Sequence, residues 1–374
     1  MILYFLLAVG LVTALWNLYY KHFWAKNITV LLRFETDALY AGEETKLYEV
    51  IENRGAMPVP VLEVGFHTRK ELDFAGADNT NVSDYIYKRD IFAVLGRQKI
   101  TREIPLKCTR RGHYELREAE LATHSLLYRK RLGKELESNA AIYVYPRMAN
   151  VSDIMPLCER MLGTLQCAKR LYEDPFAFRT IRDYTTDDPM KAINWKASAK
   201  TGILMVNTFD SALSQKAMLF LDVEDSGILK YQDLVEESIS IAASLARRLL
   251  RRGIEVGFCF NGSTAAGQES GFAPTNKKEM LIRMERMLAE YQTVNGAHPF
   301  GAELNKYSVP ADTLLIFITK NLSLALFDAI KRRAGESQTI LVCPVYRGEA
   351  LQGEFSHIKS SKNVRILVRE VDRE

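Results

Sequence analysis

Hydrophobic and polar positions change their period twice along this chain of 374 residues. Ile2 to Tyr20 is a nearly unbroken apolar run without a charge. A span of the hydrocarbon core needs roughly 20 such residues, so the run predicts one membrane helix, residues 1–24. Trp16, Tyr19, Tyr20, Phe23 and Trp24 gather at its end, as an interfacial aromatic belt would. From Asn27 to Pro146 the pattern alternates. Ile28–Phe34, Leu47–Asn53, Pro60–His67, Lys99–Leu106, Tyr114–Thr123 and Ala141–Tyr145 read as strands. Gly76–Arg89 reads as a long polar loop, and Arg129-Lys130-Arg131 as a solvated turn. Short strands at this spacing predict an immunoglobulin-like β-sandwich over residues 25–147.

After a connector, residues 148–211, the period changes again. Ala217–Val223 is a short, wholly apolar run of the kind found in buried parallel strands. A helix follows to Gly253, with Leu234, Ile241, Leu245 and Leu249 as its buried stripe. Glu255–Phe260, Thr313–Thr319 and Thr339–Val345 read as further strands, and Val364–Val371 as an edge strand. Helices opening at Asn276-Lys277-Lys278-Glu279 and Ser323 alternate with them. The alternation predicts an α/β domain over residues 212–374, with a parallel sheet covered on both faces.

Charge sets the orientation of the apolar run. Lys21, Lys26 and Arg33 follow it, and no charged side chain precedes it. The positive-inside rule then places the bulk of the chain in the cytoplasm. The expectation is a single-pass protein of the cell membrane. A cleaved signal peptide would carry a basic start and a small-residue cleavage site, and neither stands here, so the run is expected to be an uncleaved anchor. The net charge of +4 gives no argument for nucleic acid. Five cysteines, none in a C-x-x-C pair, and six histidines without ligand spacing give none for a disulfide framework or a zinc site.

The densest chemistry lies in the connector, from Phe178 to Lys200. Arg179, Arg182, Asp183, Asp187, Asp188, Lys191, Asn194, Trp195, Lys196 and Lys200 crowd into it. Asp188-Pro189 reads as a helix start and Gly202 as its stop. Two readings compete. In one, Arg179, Arg182 and Lys191 neutralise Asp183, Asp187 and Asp188, while Trp195 plugs a gap between domains. In the other, the stretch is a charged docking surface for a partner. From the residues alone the first is the stronger. Other motifs fail: Gly262–Gly267 lacks the Lys-Ser/Thr of a phosphate loop, and there is no G-x-S-x-G elbow.

Ile181, Arg182, Tyr184, Asp188, Ile193, Trp195, Lys196, Ala197, Ala199 and Gly202 give the stretch a further meaning. In this order they resemble the signature of the family called domain of unknown function 58, roughly L-R-x-Y-x-x-G-D-D-x-R-x-I-D-W-x-A-x-A-R-x-G. Asp187 departs from the family's Gly, Lys191 and Lys200 from Arg, and Asn194 from Asp. The resemblance implies a von Willebrand factor type A-like domain. It also implies a non-enzymatic interaction module, an adaptor or co-chaperone for a MoxR-type AAA+ ATPase. Relatives typically carry two membrane helices where one is seen here.

The same resemblance directs attention to Asp222-Val223-Glu224-Asp225-Ser226 at a strand end. It is similar to the D-x-S-x-S metal-ion-dependent adhesion site, with Asp222 and Ser226 matching and Glu224 in place of the middle Ser. Oxygen ligands of this kind suit Mg²⁺. Lys320, near the position of an expected carboxylate, is a competing counter-charge for Asp222 and Glu224, so a metal-free cluster is expected over a working site. A hydrolase using Asp222, Glu224 and Asp188 ranks lower because no nucleophile–base pair is present. A metal-dependent adhesion protein facing outward conflicts with the charge asymmetry.

Overall fold

The uncharged apolar run forms one helix, α1 (Ile2–Phe23). The computed structural model describes residues 2–74, 85–125, 130–170, 178–185, 188, 190–209, 215–225, 230–263, 270–292, 296–321, 323–347 and 363–373. Among these, Leu3–Phe23 is the one helix long and apolar enough to cross a membrane, a test that a signal sequence also passes. Trp16 and Tyr19 are exposed, but Tyr20 and Trp24 are not part of an interfacial belt. Both are buried, in a cluster with Ile28, Ile51, Val59, Leu62, Val64, Val94 and Leu121.

The chain divides into two compact units. One comprises Met1–Met148 with Glu285–Gln292, the other Ala149–Met284 with Thr293–Glu374. Almost all of the expected connector is therefore part of the second unit.

In the first unit, β1 (Ile28–Phe34), β3 (Glu44–Asn53), β5 (Leu72–Phe74) and β7 (Lys99–Cys108) form one sheet, ordered β1-β3-β7-β5. The other sheet contains β2 (Ala38–Tyr40), β4 (Val59–Arg69), β6 (Tyr85–Val94), β8 (Gly112–His124) and β9 (Arg131–Tyr145), ordered β2-β9-β8-β4-β6. Both sheets contribute to one core: Leu32, Leu47 and Leu106 from the first meet Phe66, Leu116 and Ile142 from the second. Alternation creates this core, as on β3, where every second residue from Thr45 to Asn53 is buried.

The expected loop Gly76–Arg89 is corrected in part. Tyr85–Arg89 belongs to β6, and residues 76–84 lie outside the described ones. Charged side chains hid this strand's alternation. Lys88 lies over the Phe74 ring at 5.0 Å, and Asp90 pairs with Arg102 at 2.8 Å. The expected turn at Arg129-Lys130-Arg131 keeps Lys130, while Arg131 opens the 15-residue strand β9; Arg129 is outside the described residues.

The second unit begins with α2 (Met155–Arg170), β10 (Phe178–Asp183), α3 (Trp195–Thr201) and β11 (Met205–Phe209). Its main sheet then alternates with helices: β12 (Lys216–Leu221), α4 (Gln232–Arg251), β13 (Glu255–Phe260), β14 (Gly271–Thr275), α5 (Lys278–Glu290, which passes into the first unit at Glu285), α6 (Phe300–Glu303), β15 (Thr313–Ile318), α7 (Leu324–Ala334), β16 (Thr339–Tyr346) and β17 (Val364–Val371). The order is β14-β13-β12-β15-β16-β17. All neighbours pair in parallel except β13 and β14. On one face Met218, Phe220, Phe317 and Leu341 pack on Phe300, Phe327 and Ile330 of α6 and α7; α4 lies against β12, β13 and β16. Strand β14 carries no sequence signal because it is short and holds Pro274, which an edge strand tolerates. Gly271 permits its approach, since a Cβ there would stand 2.1 Å from the Phe258 carbonyl oxygen.

One buried charge in the first unit makes its stability depend on pH. Glu49 on β3 is wholly buried, and neither carboxylate oxygen has a hydrogen-bond partner among the described residues. Burial raises its pKa from 4.5 to about 7; Asp90 adds to the rise, while Arg102 and Lys88 oppose it. The folded state thus holds an extra proton between these values. The associated stability is fully present below pH 4.5 and is lost as pH rises through about 7. Glu49→Gln should therefore gain up to ~3 kcal/mol over the native chain at pH 8, and little or nothing at pH 4.5. Urea denaturation at the two pH values checks this; a gain of the same size at both would show that Glu49 does not titrate.

Candidate functional site

The signature stretch folds around one carboxylate. Arg182, on β10, donates to both oxygens of Asp188, from Nη1 at 2.7 Å and from Nη2 at 2.6 Å. The Thr185 amide and hydroxyl donate to the same carboxylate at 2.9 and 2.8 Å. These bonds, Arg182 first, hold Asp188 well below the usual carboxylate range. Asp188 is therefore not the helix cap that its position before Pro189 predicts. Its lone pairs close the turn instead.

Helix α3 begins later than expected, behind a 3₁₀ turn at Met190–Ala192. Its cap is Asn194, whose Oδ1 accepts from the Ala197 amide at 2.9 Å. The Asn194 Nδ2 donates to Asn207 Oδ1 on β11 at 2.7 Å. A carboxylate cannot make that second bond, which gives the amide at this position a physical reason. Gly202 ends the helix as predicted, at φ 72. Strands β10 and β11 pair antiparallel, with Ile181 opposite Asn207.

The interior of this small element is held by Ile193, Ser198 and Val206, all buried. Its outside is unusually apolar: Trp195 is 65% exposed, Met190 70%, Ile203 59% and Leu204 44%. Trp195 is thus not packed into the interior of its own element, in contrast to the buried role that the connector reading gives it. The Asn194 amide donates to the Met205 carbonyl, so Trp195 and Leu204 adjoin a bonded pair. Lys191, Lys196, Lys200 and Asp183 are exposed. The Arg179 side chain and Asp187 lie outside the described residues. Sequence reasoning missed Met190, Ile203 and Leu204; the available signal was an apolar pair directly after the helix stop at Gly202.

The second candidate cluster sits where β12 and β15 end, at the point where the strand order reverses and open α/β sheets bind ligands. Asp222 is buried. Its Oδ1 accepts from Asn261 Nδ2 at 2.8 Å and from the Glu224 amide at 3.0 Å. Its Oδ2 accepts from Thr319 Oγ1 at 2.7 Å. Burial pushes the Asp222 carboxyl up, against these bonds. Asn261 also accepts from the Val223 amide and donates to the His298 carbonyl.

Lys320 is a counter-charge here, but to a different acid than expected. It pairs with Asp225 at 2.8 Å rather than with Asp222 or Glu224. The other Asp225 oxygen accepts from the Tyr231 amide at the start of α4, and the Lys320 ammonium lies 5.5 Å from the Tyr231 ring centre. Ser226 lies outside the described residues. Among the described residues no three His, Cys, Asp or Glu side chains are grouped to hold a metal. Of the three acids of the hydrolase reading, Glu224 bonds to Asp222 through its backbone amide, whereas the bonds of Asp188 go to Arg182 and Thr185. Asn261 and Thr319 were missed because a polar residue at a strand end has many ordinary uses.

Residues 180–313 match the family model described as "Protein of unknown function DUF58". The match takes in the signature from Thr180 onward and Asp222, and stops before Thr319. The chain is 23% identical over 252 residues to Uncharacterized protein YeaD of Bacillus subtilis (strain 168), covering 67% of this chain and 59% of that protein. The chain thus spans 59% of that relative's length. Among solved structures, the CARDB domain of the PF1109 protein from Pyrococcus furiosus is 13% identical with a TM-score of 0.19, over 30% of this chain and 91% of that one. Spo0M, a sporulation control protein from Bacillus subtilis, is 11% identical with a TM-score of 0.18, over 38% and 56%. At these scores neither likeness bears on fold or function.

The Asp222 network predicts a large cost for its removal. Asp222→Ala should orphan Asn261 Nδ2, Thr319 Oγ1 and the Glu224 amide, at about 1–3 kcal/mol for each buried donor that finds no water. Chemical denaturation should show a loss of at least ~2 kcal/mol. An unchanged midpoint would mean that the three donors have other partners.

Proposed function

We propose that this chain is a membrane-anchored, non-enzymatic protein-interaction module that receives a partner on the exposed face of its signature element. The carrying observation is the exposure of Trp195 beside Met190, Ile203 and Leu204 on an element whose interior is already satisfied. Large aromatic side chains dominate binding energy when a partner covers them. Lys191, Lys196 and Lys200, also exposed, favour a partner surface with acidic groups beside an apolar anchor.

The family resemblance supplies the partner class: a MoxR-type AAA+ ATPase, for which the chain acts as adaptor or co-chaperone. A von Willebrand factor type A-like reading of the second unit is supported by the sheet order with its single antiparallel strand, β14. The basic residues after α1 support a cytoplasmic location for both units. A metal-free strand-end cluster is supported by the donors on Asp222 and Asp225, which give every carboxylate oxygen a protein partner.

Affinity capture from detergent-solubilised membranes tests the docking face. The native chain should retain an AAA+ ATPase, and Trp195→Ala should lose most of it while its own stability changes by no more than ~0.5 kcal/mol. Equal retention by both proteins would remove Trp195 from the interface, and a large loss of stability would return it to a packing role. Calorimetric titration with Mg²⁺ tests the cluster. The native chain should show little or no binding, whereas Lys320→Asp leaves Asp225 uncompensated and should create measurable affinity. Tight binding by the native chain, abolished in Asp222→Ala, would make ion-dependent partner capture the better mechanism.

A further inference from the structure

We infer that the end of the first unit from which α1 emerges is a seat for anionic phospholipid headgroups, an inference that rests on α1 spanning the membrane. The exposed apolar part of α1 runs from Leu3 to Tyr19, and Tyr20 is already buried among the ends of the two sheets. The exposed apolar surface thus runs on to Tyr19, the residue before the buried Tyr20. The bilayer surface must therefore come up to the rim of the sheets. Trp24 plugs the same core, and the Arg54 amide donates to the Asn27 carbonyl at 2.9 Å, so the exit of α1 is fixed to the turn between β3 and β4. The Arg97 amide donates to the Gly55 carbonyl at 2.8 Å, which adds the β6–β7 turn to the same rim.

The composition of this rim is one-sided. Register places the start of β1, the β3–β4 and β6–β7 turns, the end of β8 and the start of β9 at one end of the unit. Within its described residues these segments carry Lys26, Arg54, Arg97, Lys99, Lys130 and Arg131, all exposed, and no acidic residue. Two acids reach the rim from neighbouring strand positions: Glu52 pairs with Arg54 at 3.1 Å and Glu63 with Arg131 at 2.9 Å. The opposite end of the same strands is mixed in charge, with Glu43, Glu44 and Glu71 in its turns beside Lys70 and Arg110. Leu95, at the tip of the β6–β7 turn, is 63% exposed. The next residue but one, Arg97, takes a positive φ of 58, unusual for a side-chain-bearing residue. An exposed leucine flanked by basic residues at bilayer height is placed to enter the headgroup layer, with phosphates on the surrounding cations.

The test uses the full chain in nanodiscs of equimolar phosphatidylcholine and phosphatidylglycerol. A photoreactive p-benzoylphenylalanine replaces Leu95 in one protein and Glu43, at the opposite end, in another. Irradiation should give phospholipid adducts at position 95 several-fold above those at position 43, with phosphatidylglycerol preferred. Charge reversal by Arg54→Glu, Arg97→Glu and Lys99→Glu should reduce that preference, by about fivefold for each headgroup-bound charge lost. Comparable adducts at both positions, adducts to protein at position 95, or a preference unchanged by a folded charge-reversed variant would each overturn the inference. Carbonate extraction of the native chain from vesicles separates the two levels. Release of the protein would defeat the spanning reading of α1, whereas retention without lipid adducts at position 95 would defeat the headgroup seat alone.

Discussion

The second unit depends on a single buried carboxylate. Asp222 stands at the end of β12, takes the side chain of Asn261 from the end of β13 and that of Thr319 from the end of β15. Three neighbouring parallel strands are thereby tied at their carboxyl ends, where a parallel sheet has no ladder bonds left to hold it. Isolating an ionised carboxylate from water costs far more than one hydrogen bond returns, so the network persists only because each oxygen has a donor. The Glu224 amide bends the chain back over Asp222. Two residues further on, Asp225 holds both Lys320 and the start of α4. Both oxygens of Asp222 and both of Asp225 thus accept from protein donors.

The signature element uses charge in the opposite way. The Arg182–Asp188 pair is at the surface, where an ion pair alone contributes little. Its value is geometric: four bonds to one carboxylate fix the turn that presents Met190 and leads into α3. Asn194 is committed to the cap and to Asn207, and Trp195 beside it is exposed. Ile193 and Val206 fill the interior of the element, while Met190, Trp195, Ile203 and Leu204 are left outside.

In the first unit the same economy applies to α1. The last turn of α1 and Trp24 complete the core between the sheets, so helix and sheets share one core. Glu49 is the exception to good packing, a carboxyl group in a core position without a hydrogen-bond partner among the described residues. Asp90 and Arg102 pair beside it, but the neutral form is the one that burial favours.

Periodicity by itself determined the apolar helix, β1, β13 and β17 at their exact limits or within a few residues, and the alternation of strands and helices that makes a parallel sheet; that β12 lies beside β15 came from the structure. These features depend on which residues prefer to leave water, and that preference is local. The identity of the signature and the position of Asp222 were also legible, because they are matters of residue order. Tertiary structure decided what those residues do. Whether Trp195 is covered, which acid Lys320 meets, and whether Asp188 caps a helix or binds Arg182 all depend on partners distant in the chain or on competition between bonds of similar strength. Strand β6 was obscured because its inward charges find Phe74 and Arg102 only after the sheets close. A sequence states the preferences of each side chain, and the fold determines which of them can be satisfied together.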